Sequence, residues 1–401
     1  SRREFLSASS VLAWSAAAPA LFQRIAQAAP ASNQPGGHQN VLVVVQLTGG
    51  NDGLNTVVPF TDPAYIAARP TLKQSAAQVK KINDSLGLHP SLGGFAQLLE
   101  QGQLAILQGI GSPNPNRSHF VSMDIWHKAT AAVVEQPLGW IGRAIPQLGG
   151  VGAALQIGDE APALALVGAT GNAPELKSLS DYQLKVAEKG DDAAKREAIE
   201  QLASGSNSGG GLRDLVRRSA QETYKSAASL REIGEKYETP VMYPATGLAG
   251  RLKLVAQLID AGVPERVYYT SLAGFDTHAD QAAAHARLLQ ELGDAVSAFH
   301  ADLKHHGHAD RVVTLTFSEF GRRVRENGSQ GTDHGAAAPC FVVGPVKAGP
   351  LGAHPSLTDL TDGDLKFHTD FRSIYATLLE QWLKVPSREV LGDAYPVLPL
   401  L

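Results

Sequence analysis

The sequence lacks features that would assign it to several familiar protein classes. Its 401 residues contain one cysteine, Cys340, in an apolar segment; this excludes an intrachain disulfide and indicates a small buried side chain. A net charge of −4 and the lack of a long basic run argue against nucleic-acid binding. After the first thirty residues, no segment approaches the roughly eighteen apolar residues of a membrane span. We therefore expect no nucleic-acid partner and no stable membrane span.

The amino-terminal residues are typical of an export signal. Ser1–Leu6 (SRREFL) matches the twin-arginine signature, a moderately apolar stretch follows, and Ala26-Gln27-Ala28 matches an A-x-A cleavage site. We predict a signal peptide at residues 1–28 and a polar linker at 29–39, and hence a periplasmic or secreted protein. Export in the folded state would fit a protein loaded with its metal beforehand.

Apolar runs and amphipathic patterns alternate along the remaining chain. Strands are predicted at Val41–Leu47, Leu104–Ile110, Ala163–Val167, Arg266–Leu272, Arg311–Phe317 and Cys340–Val343. Helices are predicted at Leu92–Gln101, Gly247–Ala261, Ala279–Lys304 and Asp370–Leu383. The alternation predicts an α/β domain over residues 40–401, with a mainly parallel central sheet and helices on both faces. The charged, helical composition after Asp181 predicts a helical insertion or cap over residues 170–245.

Two early strands end in segments with candidate functional residues. Asp52 follows the first strand within the sequence GGNDG, which is also a common turn signal. Ser118 follows the second strand at the start of a predicted helix. It is either an N-cap or a nucleophile at a helix N-terminus, where the dipole favours an anion and Arg117 adds positive charge.

Later strands end in carboxylates and imidazoles. Asp276 and His278 follow one strand, and Glu319 directly follows the buried run that ends at Phe317. A buried carboxylate needs a cation or hydrogen-bond donors, so Glu319 either binds metal or forms a salt bridge with a nearby arginine. Asp333 and His334 follow in a polar loop, next to small residues that allow close approach of a bound group.

Together these positions predict a metal centre. Its ordered residues are Asp52, Ser118, Asp276, His278, Glu319, Asp333 and His334. Carboxylates combined with imidazoles, without a thiolate, suit zinc, manganese, iron or a harder divalent ion such as calcium or magnesium.

The body of the chain resembles the bacterial domain-of-unknown-function family 1501. The segments that carry the resemblance are VVVQLTGGNDGLNTVVPF, LGLHPSLGGFAQLLEQGQLAILQGIG, RSHFVSMDIW, GFDTHADQ, FSEFGRRVRENGSQGTDHG and TDFRSIYATLLEQWL. The family is grouped with the alkaline phosphatase and sulfatase superfamily, which implies an alkaline-phosphatase-like fold. Its members are often exported by the twin-arginine route and encoded beside another family, which implies a partner protein.

The resemblance to that superfamily also implies roles for individual residues. Ser118 takes the place of the nucleophile, and Asp52, Asp276, His278, Glu319 and His334 take places of metal ligands. Phe320 stands where the superfamily has a ligand histidine, which puts a second metal ion in doubt. Two functions follow as expectations: a metal-dependent hydrolase of phosphate or sulfate esters, with one or two divalent ions and Arg117 or Arg322 holding the substrate anion, or a non-catalytic binding or assembly protein on a degenerate fold. No role is assigned to His89, His119, His285 or His368.

Overall fold

A computed structural model describes residues 39–132, 134–150, 152–169, 171–178 and 232–401. In these residues nine strands form one central sheet. The strands are β1 (Val41–Thr48), β2 (Leu104–Gly111), β3 (Ala154–Ile157), β4 (Glu175–Leu176), β5 (Val267–Ala273), β6 (Val312–Ser318), β7 (Ala338–Val343), β8 (Gly349–Leu351) and β9 (Thr369–Asp370). Their order across the sheet is β8-β2-β7-β6-β1-β5-β3-β4, and β9 also pairs with β2.

Helices connect most of these strands. They are α1 (Gly53–Thr56), α2 (Pro63–Ala68), α3 (Gly93–Glu100), α4 (His119–Lys128), α5 (Trp140–Ala144), α6 (Gly247–Asp260), α7 (Gln281–His305), α8 (Phe371–Thr377) and α9 (Ser387–Leu391). A π-helical segment, Leu378–Leu383, continues α8. Thr246 is the N-cap residue just before helix α6. Its side chain accepts a hydrogen bond from the Ala249 N–H and so satisfies one of the free donors of the first turn.

Both faces of the sheet are buried, as the continuous apolar run of β1 predicts. Val43 and Val45 face a cluster that includes α3, α6 and α7. Leu42 and Val44 face the opposite cluster, which includes Trp126 and the side chains of α8. Successive residues of a strand point to opposite faces, so each must be apolar when helices cover both. Burial of each such side chain contributes roughly 1.5–3 kcal/mol. The predicted three-layer α/β architecture is confirmed.

The sheet is mainly parallel. Among its long strands in the described residues, only β7 runs in the opposite direction, and this determines where the site lies. β1 pairs in parallel with both β5 and β6, whereas β7 runs antiparallel to β6 and to β2. The 319–337 loop therefore leaves the sheet and returns to it at the same edge, the carboxyl edge of the parallel strands. A bridge between Arg322 and His334 closes this loop on itself.

Some predicted elements were wrong. Ala163–Val167 is mostly a 3₁₀ helix, Leu164–Leu166, and only Val167–Gly168 is a short strand. The actual strand β3 was missed, because four residues are too few to give a periodic signal.

The predicted insertion at 170–245 is not helical at its start, because Gly171–Asn172 is a strand and β4 joins the sheet beside β3. Residues 232–236 are helical. Residues 179–231 lie outside the described residues, as do the predicted signal peptide and residues 29–38 of the predicted linker. Among the described helices, none has the length and apolarity needed to cross a membrane.

Candidate metal centre

Loops at the carboxyl edge of the sheet bring three imidazoles and one carboxylate together. His119 begins α4, after the loop that follows β2. Asp276 and His278 follow β5, and His334 lies in the 319–337 loop. Parallel strands deliver their carboxyl ends to one edge, so residues that are distant in sequence meet there.

The imidazoles converge on a single atom, Oδ1 of Asp276. The Nε2 atoms lie 3.0 Å from it for His278, 3.1 Å for His334 and 3.5 Å for His119. Nη2 of Arg322 donates a hydrogen bond to the same oxygen over 2.8 Å. Burial alone raises the pKa of Asp276, but the hydrogen bond and charge of Arg322 together with the neighbouring imidazoles outweigh it and lower the pKa to about 2. Asp276 is therefore a carboxylate at neutral pH.

Two other carboxylates hold the far nitrogens of two of these rings. Oε1 of Glu319 lies 2.8 Å from Nδ1 of His119, and it also accepts a hydrogen bond from the backbone N–H of Gly49 over 2.9 Å. Oδ1 of Asp333 lies 3.4 Å from Nδ1 of His278. The hydrogen bond to Glu319 raises the pKa of His119. Glu319 and Asp333, which the sequence predicts as metal ligands, lie in this structure against the Nδ1 atoms of His119 and His278, where carboxylates orient imidazole rings.

The third ring is held by the backbone. Nδ1 of His334 lies 2.6 Å from the carbonyl oxygen of Arg117. A carbonyl oxygen only accepts, so Nδ1 of His334 carries the proton. Carboxylates likewise only accept, so neutral His119 carries its proton on the Nδ1 atom that faces Glu319. Neutral His119 and His334 therefore point an Nε2 lone pair toward Asp276. His278 has a carboxylate oxygen near both nitrogens, 3.0 Å from Nε2 and 3.4 Å from Nδ1, so these contacts do not select one tautomer.

This arrangement fits a cation. The Nε2 atoms of His278 and His334 are 2.9 Å apart, and two lone pairs facing each other at that distance repel unless a cation or a proton lies between them. Within the described residues, Nε2 of His119 is buried and has no hydrogen-bond partner. Three imidazole nitrogens and one carboxylate oxygen form a ligand set typical of a tetrahedral divalent metal. The ligand atoms of His119, Asp276 and His334 already lie within 4.8 Å of one another.

Phe320 packs beneath the imidazoles. Its ring centroid is 4.9 Å from that of His119 and 4.8 Å from that of His334. Gly50, with φ +75°, lies on the other side of this ring, where a Cβ would come within 2.3 Å of Cε2 of Phe320. Gly49, with φ +120°, lets the β1 loop touch the backbone at Asp276. Phe320 thus gives the rings an apolar support instead of a ligand.

Arg322, which the sequence predicts to hold the substrate anion, lies among backbone carbonyls inside the protein. Its side chain is fully buried. Nε donates to the Gly50 carbonyl over 2.6 Å, Nη1 to the Thr332 carbonyl over 2.7 Å, and Nη2 to the carbonyls of Gly49 and Phe275. With these bonds and the one to Asp276, the guanidinium ties three loops together and has no surface to offer a substrate.

Asp52, which the sequence predicts as a metal ligand, is paired with an arginine in this structure. It is fully buried against Arg69, whose Nη1 donates to Oδ2 over 2.5 Å and Nη2 to Oδ1 over 3.1 Å. Gln281 donates to Oδ2 as well. Burial raises the pKa of Asp52, but the charge and hydrogen bonds of Arg69 together with the hydrogen bond from Gln281 and the nearby His285 outweigh it and bring the pKa to about 2. The Asp52 carboxylate is thus neutralised by a buried guanidinium.

Ser118 and Arg117 lie at the rim of the centre. Ser118 is the half-buried N-cap of α4, and in the described structure its side chain does not cap the helix. Arg117 contributes its carbonyl to His334, while its guanidinium is paired with Asp364 over 2.7 Å. The predicted substrate-binding role of Arg117 is thus replaced by a supporting one.

His119 is the member of this cluster to which the sequence assigned no role. Its partner Glu319 lies 200 residues away in the chain, so no local pattern connects the two. His285 and His89 are buried outside the centre, and burial lowers the pKa of each to about 4. His368 contacts the Ala353 carbonyl over 2.6 Å.

The chain belongs to a family of proteins of unknown function, DUF1501, whose model matches residues 39–391. This confirms the family resemblance read from the sequence. No curated protein matches the chain.

Several solved structures resemble it at low similarity. A sulfatase from Pseudoalteromonas sp., PsFucS1, has a TM-score of 0.37 and 13% identity over 94% of this chain and 72% of that one. A protein in the alkaline phosphatase superfamily from Vibrio parahaemolyticus has a TM-score of 0.38 and 9% identity over 92% and 77%. The periplasmic domain of EcEptC from Escherichia coli, in complex with Zn, has a TM-score of 0.38 and 8% identity over 77% and 73%. At TM-scores under 0.5, these structures do not indicate what this chain does.

Proposed function

We propose that this member of the family is a metal-dependent hydrolase of phosphate or sulfate esters. Its single divalent ion would be bound by His119, His278, His334 and Asp276. The supporting observation is the convergence of three Nε2 atoms on Asp276 Oδ1, with the Nδ1 of every ring held by an acceptor. In protein metal sites, each ligand histidine usually donates its other ring N–H to a carboxylate or a backbone carbonyl, which orients the ring.

The ligand set narrows the choice of metal. Imidazole nitrogens favour zinc, iron or manganese, whereas calcium and magnesium prefer sites made of oxygen atoms. One ion is favoured over two, because Asp52 is neutralised by Arg69 and Glu319 is engaged by His119. When bound, the ion would polarise the ester group and stabilise the negative charge that develops on it.

Ser118 is our candidate nucleophile. It adjoins the ligand His119, and its hydroxyl does not cap α4 in the described structure. The first N–H groups of a helix have no intrahelical acceptor, so those of α4 are available to a phosphate or sulfate oxygen. The ester anion would lie between these N–H groups and the imidazole cluster, within reach of the Ser118 hydroxyl.

A non-catalytic binding protein is the second candidate. The observation that favours it is that buried arginines already neutralise two of the acidic groups, Asp52 through Arg69 and Asp276 through Arg322. A centre balanced in this way could persist as a structural network.

Metal analysis of protein purified without chelator separates these functions first, with about one zinc, iron or manganese ion per chain expected. A screen of aryl phosphates, phosphodiesters and aryl sulfates follows, with Ser118→Ala as the comparison. Loss of turnover with retained metal would support Ser118 as the nucleophile. Protein that binds no metal would contradict the hydrolase, and turnover that survives in Ser118→Ala would exclude Ser118.

We also propose export by the twin-arginine route. The support is the sequence of residues 1–28, with its paired Arg2 and Arg3. Cell fractionation of the full chain and of the double variant Arg2→Lys, Arg3→Lys tests it. The variant should accumulate in the cytoplasm, and unchanged export would contradict the route.

A further inference from the structure

A short hairpin packs against the outer side of the metal centre. Its strands are Leu360–Thr361 and Asp364–Leu365, which pair antiparallel. The turn between them, Asp362-Gly363, has positive φ at both residues, 53° and 83°. Asp-Gly with two positive φ values is the two-residue turn that matches the twist of a hairpin. The turn presents Asp364 toward the protein, where its side chain is 9% exposed.

The two oxygens of Asp364 face two different arginines. Oδ2 accepts hydrogen bonds from Nε and Nη2 of Arg117, over 3.0 and 2.7 Å. Oδ1 lies 3.5 Å from Nε of Arg323. Arg117 is in the loop that leads to His119, whereas Arg323 is in the 319–337 loop. Asp364 therefore spans two of the loops that form the centre.

The backbones of both arginines form hydrogen bonds with His334 or with the residue before it. The carbonyl oxygen of Arg117 accepts the hydrogen bond from Nδ1 of His334, and the backbone N–H of Arg323 donates to the carbonyl of Asp333 over 3.0 Å. One contact holds the ring of His334 and the other holds the residue before it. Fixing the two guanidinium groups at Asp364 thus fixes the direction in which Nε2 of His334 points.

The arginines beside Asp364 only partly offset the cost of burying its negative charge. Burial raises its pKa, and the hydrogen bond from Arg117 only partly offsets the effect. Within the described part of the chain, its Oδ1 atom is buried without a hydrogen-bond partner. A buried carboxylate of this kind contributes little to stability, which favours a positioning role.

We propose that Asp364 is a positioning residue that fixes the orientation of the His334 ring through Arg117 and Arg323. This inference rests on the proposed function, because it takes His334 to be a metal ligand. Removal of a supporting group behind a ligand typically weakens metal binding about 10- to 100-fold. The hairpin is thus part of the metal centre although none of its residues reaches the ion.

A double-mutant cycle in the full-length protein tests the proposal. Zinc affinity is measured by chelator competition for Asp364→Ala, Arg117→Ala and the double variant. We expect each single variant to bind zinc about ten-fold more weakly and the double variant to be no weaker than Asp364→Ala alone, because that substitution already releases both arginines. Asp359→Ala is the matched control, because Asp359 forms an exposed pair with Lys366 nearby and should leave affinity unchanged. Wild-type affinity in Asp364→Ala, or fully additive losses, would overturn the proposal.

A second measurement does not depend on metal binding. Nitrogen-15 NMR of the imidazoles in metal-free protein reports which nitrogen of His334 carries the proton. We expect the Nδ1–H form to dominate in the wild type and in Asp359→Ala, and to lose population in Asp364→Ala. If wild-type protein binds no zinc, the proposed function fails while this readout still decides the role of Asp364. An unchanged His334 signal in Asp364→Ala would overturn it.

Discussion

The Nε2 atoms of His278 and His334 lie 2.9 Å apart, although hydrogen-bond acceptors hold the Nδ1 atoms of both rings. At that distance two lone pairs would repel each other, so either a proton or a cation lies between the rings. In the proposed metal centre, a shared cation would make an attractive contact with each ring.

Removal of a ligand should therefore abolish metal binding. We expect His278→Ala and His334→Ala to lower bound zinc from about one ion per chain to near zero, because each removes one of four ligand atoms. Equilibrium dialysis followed by elemental analysis measures this. His305→Ala is the control, since His305 is exposed on α7 and should retain full occupancy. Retained zinc in both ligand variants would argue that the centre is not the binding site.

Removal of an orienting carboxylate should weaken binding without abolishing it. Glu319→Gln and Asp333→Asn keep the side-chain shape but lose the charge behind His119 and His278. We expect zinc affinity to fall about 10- to 100-fold, measured by chelator competition. Asp280→Asn, an exposed position near the centre, should keep wild-type affinity. Equal affinity in all three variants would assign Glu319 and Asp333 no orienting role.

The buried pair between Arg69 and Asp52 should be a major contributor to stability. Both side chains are fully buried, and Arg69→Met leaves the Asp52 carboxylate without its cation. We expect the free energy of unfolding in urea to fall by about 3–5 kcal/mol. Lys366→Ala breaks the exposed pair with Asp359 and should change stability little. Similar stabilities for the two variants would contradict this account.

Buried histidines should make the fold sensitive to acid. Burial lowers the pKa of His89, His127 and His285 from 6.5 to about 4. Between these pH values the unfolded chain binds protons that the folded chain does not. Their stabilising effect is complete above about pH 6.5 and is lost toward about pH 4, at up to about 1.4 kcal/mol per pH unit for each histidine.

Urea unfolding at a series of pH values across this window measures the slope. Burial also lowers the pKa of His300, to about 3, so four histidines with large shifts contribute across this window. His127→Gln removes one of them and should reduce the slope by about one quarter. A slope equal to that of the wild type would show that His127 does not titrate on unfolding.

Local patterns in the sequence were sufficient for the main elements of the fold. The runs at β1, β2, β5 and β6 predicted strands within about one residue of their observed limits, because burial on both faces favours a nearly continuous run of apolar residues. The same patterns placed Asp276 and His278 at the edge where the centre lies. The short strand β3 gave no such signal, and Leu164–Leu166 is apolar but helical.

Roles within the centre could not be predicted, because they depend on partners far away in the chain. Asp52 and Glu319 are both acids after buried strands, yet Arg69 neutralises one and His119 engages the other. The contacts of Arg322 with Gly49 and Gly50 join distant parts of the chain, so the sequence does not show that this guanidinium is buried.

The sequence by itself determined which strands are buried, which edge of the sheet carries polar groups, and the family to which the chain belongs. Only the tertiary structure decided which imidazoles converge on Asp276 and which groups hold them in place. The physical reason is that a carboxylate acts as ligand, counter-ion or orienting group according to the charge beside it. That charge comes from loops as far apart as His119 and Glu319, which are 200 residues distant in the chain.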